Sequence, residues 1–359
     1  MLVNTTSNFS AVPAKRIPAN LSNLFLTESQ FNVFYGVNLF CCITACSLYI
    51  LLVAVLIRQS GHFTGSRLLI LHQLIIEILM VAIHWPIWIA TVAEGQQQRG
   101  VVRSLSFCQH YFFFYIINLT AVHYGLLGMA LNRFVAIVFP HHYRTLSSKH
   151  MVLILIVFSW AMGFFCDFYV YLGAEGGFFP HPPYGVCNFN HPGGMYALVT
   201  VFRTYLPLSL TGLLYLTLFT KITVVWYRQK KVIAERNQAD DPKMRAFKRR
   251  ALLARVLFVM TVIHCVSFNA VPFVMTVMPW LFASQLSRQW VRFIFFSGFL
   301  SPPLVFFAMN QDCRRGVRKL LRIGNSRVGK EAFSSGNGKS GKTDLTNASI
   351  KPTINDTRV

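Results

Sequence analysis

Residues 105–138 read LSFCQHYFFFYIINLTAVHYGLLGMALNRFVAIV, and no Asp, Glu, Lys or Arg interrupts the run before Arg133. A helix needs about 20 mostly apolar residues to cross the hydrocarbon core of a bilayer, and lipid offers no partner to an unpaired backbone group. Outward from this run, six more stretches meet that length: Val33 to Ile57, Arg67 to Val92, Met151 to Leu172, Tyr196 to Tyr227, Leu252 to Met278 and Gln289 to Met309. The sequence therefore predicts an all-α membrane protein, a seven-transmembrane helix bundle over 33–309.

Composition points the same way. Hydrophobic residues make up 54% of the 359-residue chain and charged residues only 13%, with a mean hydropathy of +0.46, which a soluble surface does not tolerate. The net charge of +22 would suggest nucleic acid in a soluble protein. Here most Lys and Arg fall between Arg228 and Arg255 and between Arg314 and Lys342, as expected of loops facing an anionic cytoplasmic leaflet. A nucleic-acid partner is not expected; membrane lipid is.

Loop charge sets direction. Arg58, Arg144, Lys149, Lys230, Lys231 and the 248–250 cluster lie on one side with Arg314, Arg315, Arg318 and Lys319, whereas the other side carries only Lys15, Arg16, Arg99, Arg103 and Arg288. Positive residues stay in the cytoplasm, so the N-terminus is expected outside. Acceptor sequons at Asn4, Asn8 and Asn20 agree, because glycan transfer needs a flexible luminal segment. The first thirty residues lack the short apolar region of a cleavable signal, so the first span is expected to direct insertion. The division expected is a glycosylated extracellular segment at 1–32, the bundle at 33–309, an amphipathic inner-leaflet helix at 310–322 and a disordered cytoplasmic tail at 323–359.

Of the eight cysteines, Cys41, Cys42, Cys46, Cys166 and Cys265 lie inside apolar runs as small hydrophobes. Cys108 and Cys187 flank spans on the same side. With 133 − 108 = 25 residues between Cys108 and Arg133, and Asn132-Arg133-Phe134 closing the third span, the chain resembles rhodopsin-like G-protein-coupled receptors. The resemblance covers roughly residues 33 to 322. In that family the outer cysteine of the third helix bonds the second outer loop, which makes Cys187 the partner of Cys108. It also has an Asp-Arg-Tyr triplet where this chain has Asn132, Arg133 and Phe134, and its arginine contacts the G protein. An isolated arginine there would equally be a snorkelling interfacial cation.

Further positions fit the same template. Trp160 stands mid-way in the fourth span, and Pro207 and Tyr215 lie eight apart in the fifth, where the family has a proline and a tyrosine that swings inward on activation. Glu77 occupies the place of the aspartate that binds sodium, with Pro86 farther out. Plain packing and tolerated kinks account for Trp160 and Pro207 as well. Departures fall in the last two spans. Ala270 stands two before Pro272, where tryptophan is usual, and Phe306 takes the place of the tyrosine after Pro303. The Asn-Arg-Phe and proline patterns are similar to those of the chemoreceptor families of nematodes.

Intramembrane charges mark function, because each is costly unless it faces the bundle or water. Arg203, four residues outward of Pro207, and Arg292, eleven before Pro303, are the candidates for an anionic group on a ligand, since guanidinium grips carboxylate, sulfate or phosphate as a bidentate fork. The alternative pairs Arg203 with Asp167 and lets Arg292 reach the outer interface. Around them His84, Trp88, Tyr115, Leu119, Phe273 and Phe296 are candidates for an aromatic wall, with Trp85, Tyr111 and Asn118 beside them. By the resemblance, Tyr115 replaces the aspartate of amine receptors, and no seventh-span lysine can hold retinal. No cofactor and no enzymatic motif such as HExxH or Gly-x-Ser-x-Gly is read.

The function implied is an extracellular ligand activating a heterotrimeric G protein from the plasma membrane. Arrestin would read phosphorylated tail residues such as Ser334 and Thr343, and a PDZ-domain protein would read Thr357-Arg358-Val359. The other class weighed is a transporter or ligand-gated channel. Against it, the chain has no repeated halves and no ring of acids.

Overall fold

In the computed structural model the described residues are 25–59, 65–98, 104–173, 177–190, 195–236, 258–259, 262–269, 284–309 and 314–318, with isolated positions between 271 and 280. Met1–Val317 forms one compact unit, and of the remainder only Arg318 is described. The spanning helices are α1 (Glu28–Gln59), α2 (Gly65–Gln98), α3 (Leu105–Val138), α4 (Lys149–Tyr171), α5 (Met195–Thr200 continuing through Leu206–Arg236), α6 (residues 262–269 of it described) and α7 (Gln285–Ser297 continuing through Ser301–Met309).

Six of these, all but α6, are long and apolar enough among the described residues to cross a membrane. The expected span at Leu252 to Met278 falls mostly outside the described residues. The predicted limits of α3 are the observed ones. The others begin or end a few residues from expectation, because polar caps such as Ser148, whose hydroxyl accepts from Met151 N–H, extend helices beyond their apolar runs.

Hydropathy and burial run opposite to a soluble core. The most apolar span, α1, has a hydropathy of 2.7 and is 28% buried, while α3 has 1.4 and is 78% buried. Phe40, Phe165 and Val266 point outward, 72%, 73% and 66% exposed, as lipid-facing residues should. α3, the span with the largest buried share, is the one that carries Asn118, His123 and Asn132. It packs against α2, α4 and α5. At Gly163 the backbones of α3 and α4 nearly touch: a Cβ there would lie 2.7 Å from the Ile117 carbonyl oxygen. Gly163→Val is expected to force the pair apart and cost about 1–3 kcal/mol, read as a lowered thermal midpoint of the purified protein. An unchanged midpoint would contradict this packing.

Two spans carry π-helical turns, each just ahead of a proline: Met80–His84 before Pro86 and Val201–Tyr205 before Pro207. Proline has no N–H, so the carbonyl four residues earlier loses its helical donor. For Pro207 that carbonyl is Arg203, and it is taken by His123 Nδ1 at 3.2 Å, while the adjacent Phe202 carbonyl accepts from the Tyr124 hydroxyl at 2.8 Å. In α2, Cys42 Sγ donates to the Val81 carbonyl at 3.3 Å and the Tyr111 hydroxyl to that of His84 at 3.2 Å. The irregular backbone is satisfied by neighbouring helices, as apolar surroundings demand.

One element was not anticipated. The outer loop between α4 and α5 forms an antiparallel hairpin, β1 (Gly177–His181) with β2 (Val186–Asn190), in which Pro180 faces Cys187. The described spans are all helical, as expected, and the hairpin lies in the loop between two of them. The segment is too short and too rich in proline and glycine to show strand periodicity, and it is pairing and docking that hold it.

Candidate functional site

The hairpin docks on the N-terminal end of α3. A disulfide joins Cys108 at the start of α3 to Cys187 in β2, with Cα atoms 5.1 Å apart. Phe178 of β1 is buried against Phe112 of α3, ring centres 5.3 Å apart. The far end is stitched to the N-terminal segment: the Leu26 N–H donates to the Tyr184 hydroxyl at 2.9 Å, and Gln96 Nε2 to the Leu26 carbonyl at 2.8 Å.

The two candidate arginines differ. Arg203 Nη1 meets Asp167 Oδ1 at 2.8 Å in a buried pair between α5 and α4, so the Asp167 alternative is the arrangement found. Arg292, on the first stretch of α7, has no acid or hydrogen-bond partner among the described residues. Tyr115 lies within electrostatic reach of both guanidinium groups. His181 faces the same mouth with Arg288 and Arg292 near it. Burial holds its imidazole below the usual histidine range, the hydrogen bond from its ring to the Pro182 carbonyl offsets part of that, and the two arginines add to the lowering. His181 is therefore neutral at pH 7, and the fixed positive charge at the mouth belongs to the arginines.

Several of the candidate aromatic residues pack on one another. His84 packs on Tyr111 and Tyr115 at 5.5 and 5.3 Å, and Trp88 stacks on Phe296 at 5.0 Å. Leu119, one turn below Tyr115, is half-buried. Phe273 lies outside the described residues, as do Ala270, Pro272, the sequons Asn4, Asn8 and Asn20, and the tail motifs.

Deeper in, Glu77 is 1% exposed. Its carboxylate accepts from the Tyr49 hydroxyl at 2.7 Å and from Gln73 Nε2 at 2.8 Å, and His264 Nε2 of α6 stands 3.8 Å away. The Tyr49 hydroxyl and the Gln73 amide turn donors toward Glu77, while the Gln73 side-chain oxygen is buried without a hydrogen-bond partner among the described residues. His264 was missed in the sequence because a lone histidine in an apolar span has no pattern to mark it. The Trp160 indole donates to His72 at 2.9 Å.

Near the C-terminal end of α3, Asn132 is 3% exposed, and neither its amide nitrogen nor its oxygen has a hydrogen-bond partner among the described residues. Arg133 is half-buried, without an acid partner among the described residues. Tyr215 is buried against Ala130 of α3 and packs with Val305 and Phe306 of α7, within electrostatic reach of Arg133. Phe134 packs instead on Leu218 and Ile222 of α5. Where the familiar triplet has an acid beside its arginine, this chain has an amide that lines a cavity with Gln73, Glu77 and Arg133.

A multipass bundle with a disulfide-pinned loop and arginines at one end, and Arg133 towards the other end of its central helix, has the build of a membrane signalling receptor. The family described as 7 transmembrane receptor (rhodopsin family) matches residues 49–304, well over half of the chain. The chain belongs to that family. No curated protein matches it.

Proposed function

We propose that this receptor sits in the plasma membrane with its N-terminus outside, binds an extracellular ligand carrying an anionic group, and activates a heterotrimeric G protein. Arg292 carries the ligand half of the reading: a guanidinium in the outer part of a spanning helix, beside Tyr115 and without an acid, needs a counter-charge. Arg203 has its counter-ion in Asp167, so its part is to hold α4 and α5 beside Tyr115. His84, Trp88 and Phe296 line the aromatic side, with Leu119 below.

On the inner side Asn132, Arg133, Phe134 and Tyr215 form the coupling surface. An amide in place of the acid leaves Arg133 without a neighbouring carboxylate to hold it, and the inward Tyr215 supports the same role. Arrestin and PDZ-domain binding by the tail, and glycans on Asn4, Asn8 and Asn20, belong to this reading.

The test is G-protein activation in cells exposed to a panel of organic acids. At equal surface expression, Arg292→Gln is expected to weaken the response to an active acid about tenfold or more, the worth of one charge-assisted hydrogen bond. Arg133→Ala is expected to abolish G-protein activation while ligand binding persists. An undiminished response in Arg292→Gln would overturn the ligand reading, and one in Arg133→Ala the coupling reading.

A further inference from the structure

Two buried polar atoms near Arg292 lack partners. Among the described residues the Trp88 indole nitrogen and His84 Nδ1 have no hydrogen-bond partner, although the residues are only 4% and 6% exposed. Buried polar atoms are nearly always satisfied, and an indole N–H can only donate, so an acceptor beyond the described residues is called for. Their places are connected. His84 and Trp88 stand one helical turn apart on α2, and so do Arg292 and Phe296 on α7. Phe296 stacks on Trp88 at 5.0 Å with 27° between the planes, His84 packs on Tyr115 at 5.3 Å, and Tyr115 lies in the field of Arg292. The circuit Arg292, Phe296, Trp88, His84, Tyr115 thus closes on itself and surrounds one uncompensated cation and two unfilled polar atoms with aromatic faces.

On the α4 and α5 side the cation already has its acid: Arg203 is paired with Asp167, and the two bulge carbonyls of α5 are taken by His123 and Tyr124.

We infer that the ligand lies between α2, α3 and α7, and that it is a flat, largely apolar carboxylic acid with a second, uncharged acceptor oxygen. The carboxylate meets Arg292, the acceptor takes the Trp88 N–H, and the body of the ligand lies against Tyr115 and Phe296. His84 Nδ1 adds a second polar contact. This placement rests on the anionic-ligand reading above and goes further by naming the site's other half.

The experiment measures the thermal midpoint of the purified full-length receptor with two matched acids, 4-acetylbenzoate and 4-isopropylbenzoate, and with the neutral methyl ester of the first. The acetyl acid is expected to bind the wild type about five- to tenfold more tightly than the isopropyl acid, the ordinary worth of one hydrogen bond. Trp88→Phe keeps a ring for the stack on Phe296 and is expected to erase that preference. Arg292→Gln is expected to weaken both acids. Should Trp88→Phe not fold, the preference of the wild type decides alone. If both acids bind equally and through Arg292, the placement beside Trp88 is wrong and the anion reading stands. If the ester binds as well as the acid, or if neither acid stabilises the receptor up to about 1 mM, both fail.

Discussion

Asp167→Ala is expected to destabilise the receptor by about 3–5 kcal/mol, since it leaves the Arg203 guanidinium buried without its counter-ion. Arg203 Nη1 and Asp167 Oδ1 are 2.8 Å apart, with side chains 9% and 3% exposed. Neither end can reach bulk water by a small rotation. The loss should appear as a lower thermal midpoint of the purified protein and as poor surface expression. The double substitution Asp167→Leu with Arg203→Met is expected to recover most of it, because replacing a buried pair with apolar side chains removes both desolvation costs at once. Asp167→Ala behaving like wild type, or the double variant being worse than the single one, would contradict a pair that closes this side of the bundle.

Breaking the disulfide by Cys187→Ser is expected to be the second large effect. The bond spans a sequence separation of 79 residues, and chain entropy gives such a loop about 4.5 kcal/mol. Inserted helices already restrain the ends, so the stability loss should be below that value. The larger consequence is local. The bond and the contact of Phe178 on Phe112 tie the hairpin to α3, and the hairpin brings His181 to the mouth beside Arg292. With the bond gone, response to an active acid should fall more than surface expression does. Equal losses in both would make the bridge a folding element only, with no bearing on the site.

Much of this molecule is legible without coordinates because a bilayer is a severe solvent. Unpaired backbone is forbidden in it, so the apolar runs had to be helices, and the spacing of Cys108, Arg133, Trp160, Cys187, Pro207 and Tyr215 carried the family resemblance that the match over 49–304 bears out. The predicted bond between Cys108 and Cys187 is present. What did not show was the state of individual polar residues. Arg203 and Arg292 read alike in sequence, each an intramembrane cation near a proline, and only the approach of α4 to α5 gives the first a carboxylate and leaves the second without one.

The same division holds for the run at residues 105–138. Its length and lack of charge dictated a spanning helix, since those properties belong to the residues themselves. That it lies at the centre, 78% buried despite a hydropathy of only 1.4, was decided by its neighbours. Lipid and protein interior are equally apolar, so hydropathy separates both from water and cannot tell one from the other. Only packing assigns His123 to the freed carbonyl of Arg203, Glu77 to Tyr49 and Gln73, and Trp88 to a face where its N–H waits for an acceptor.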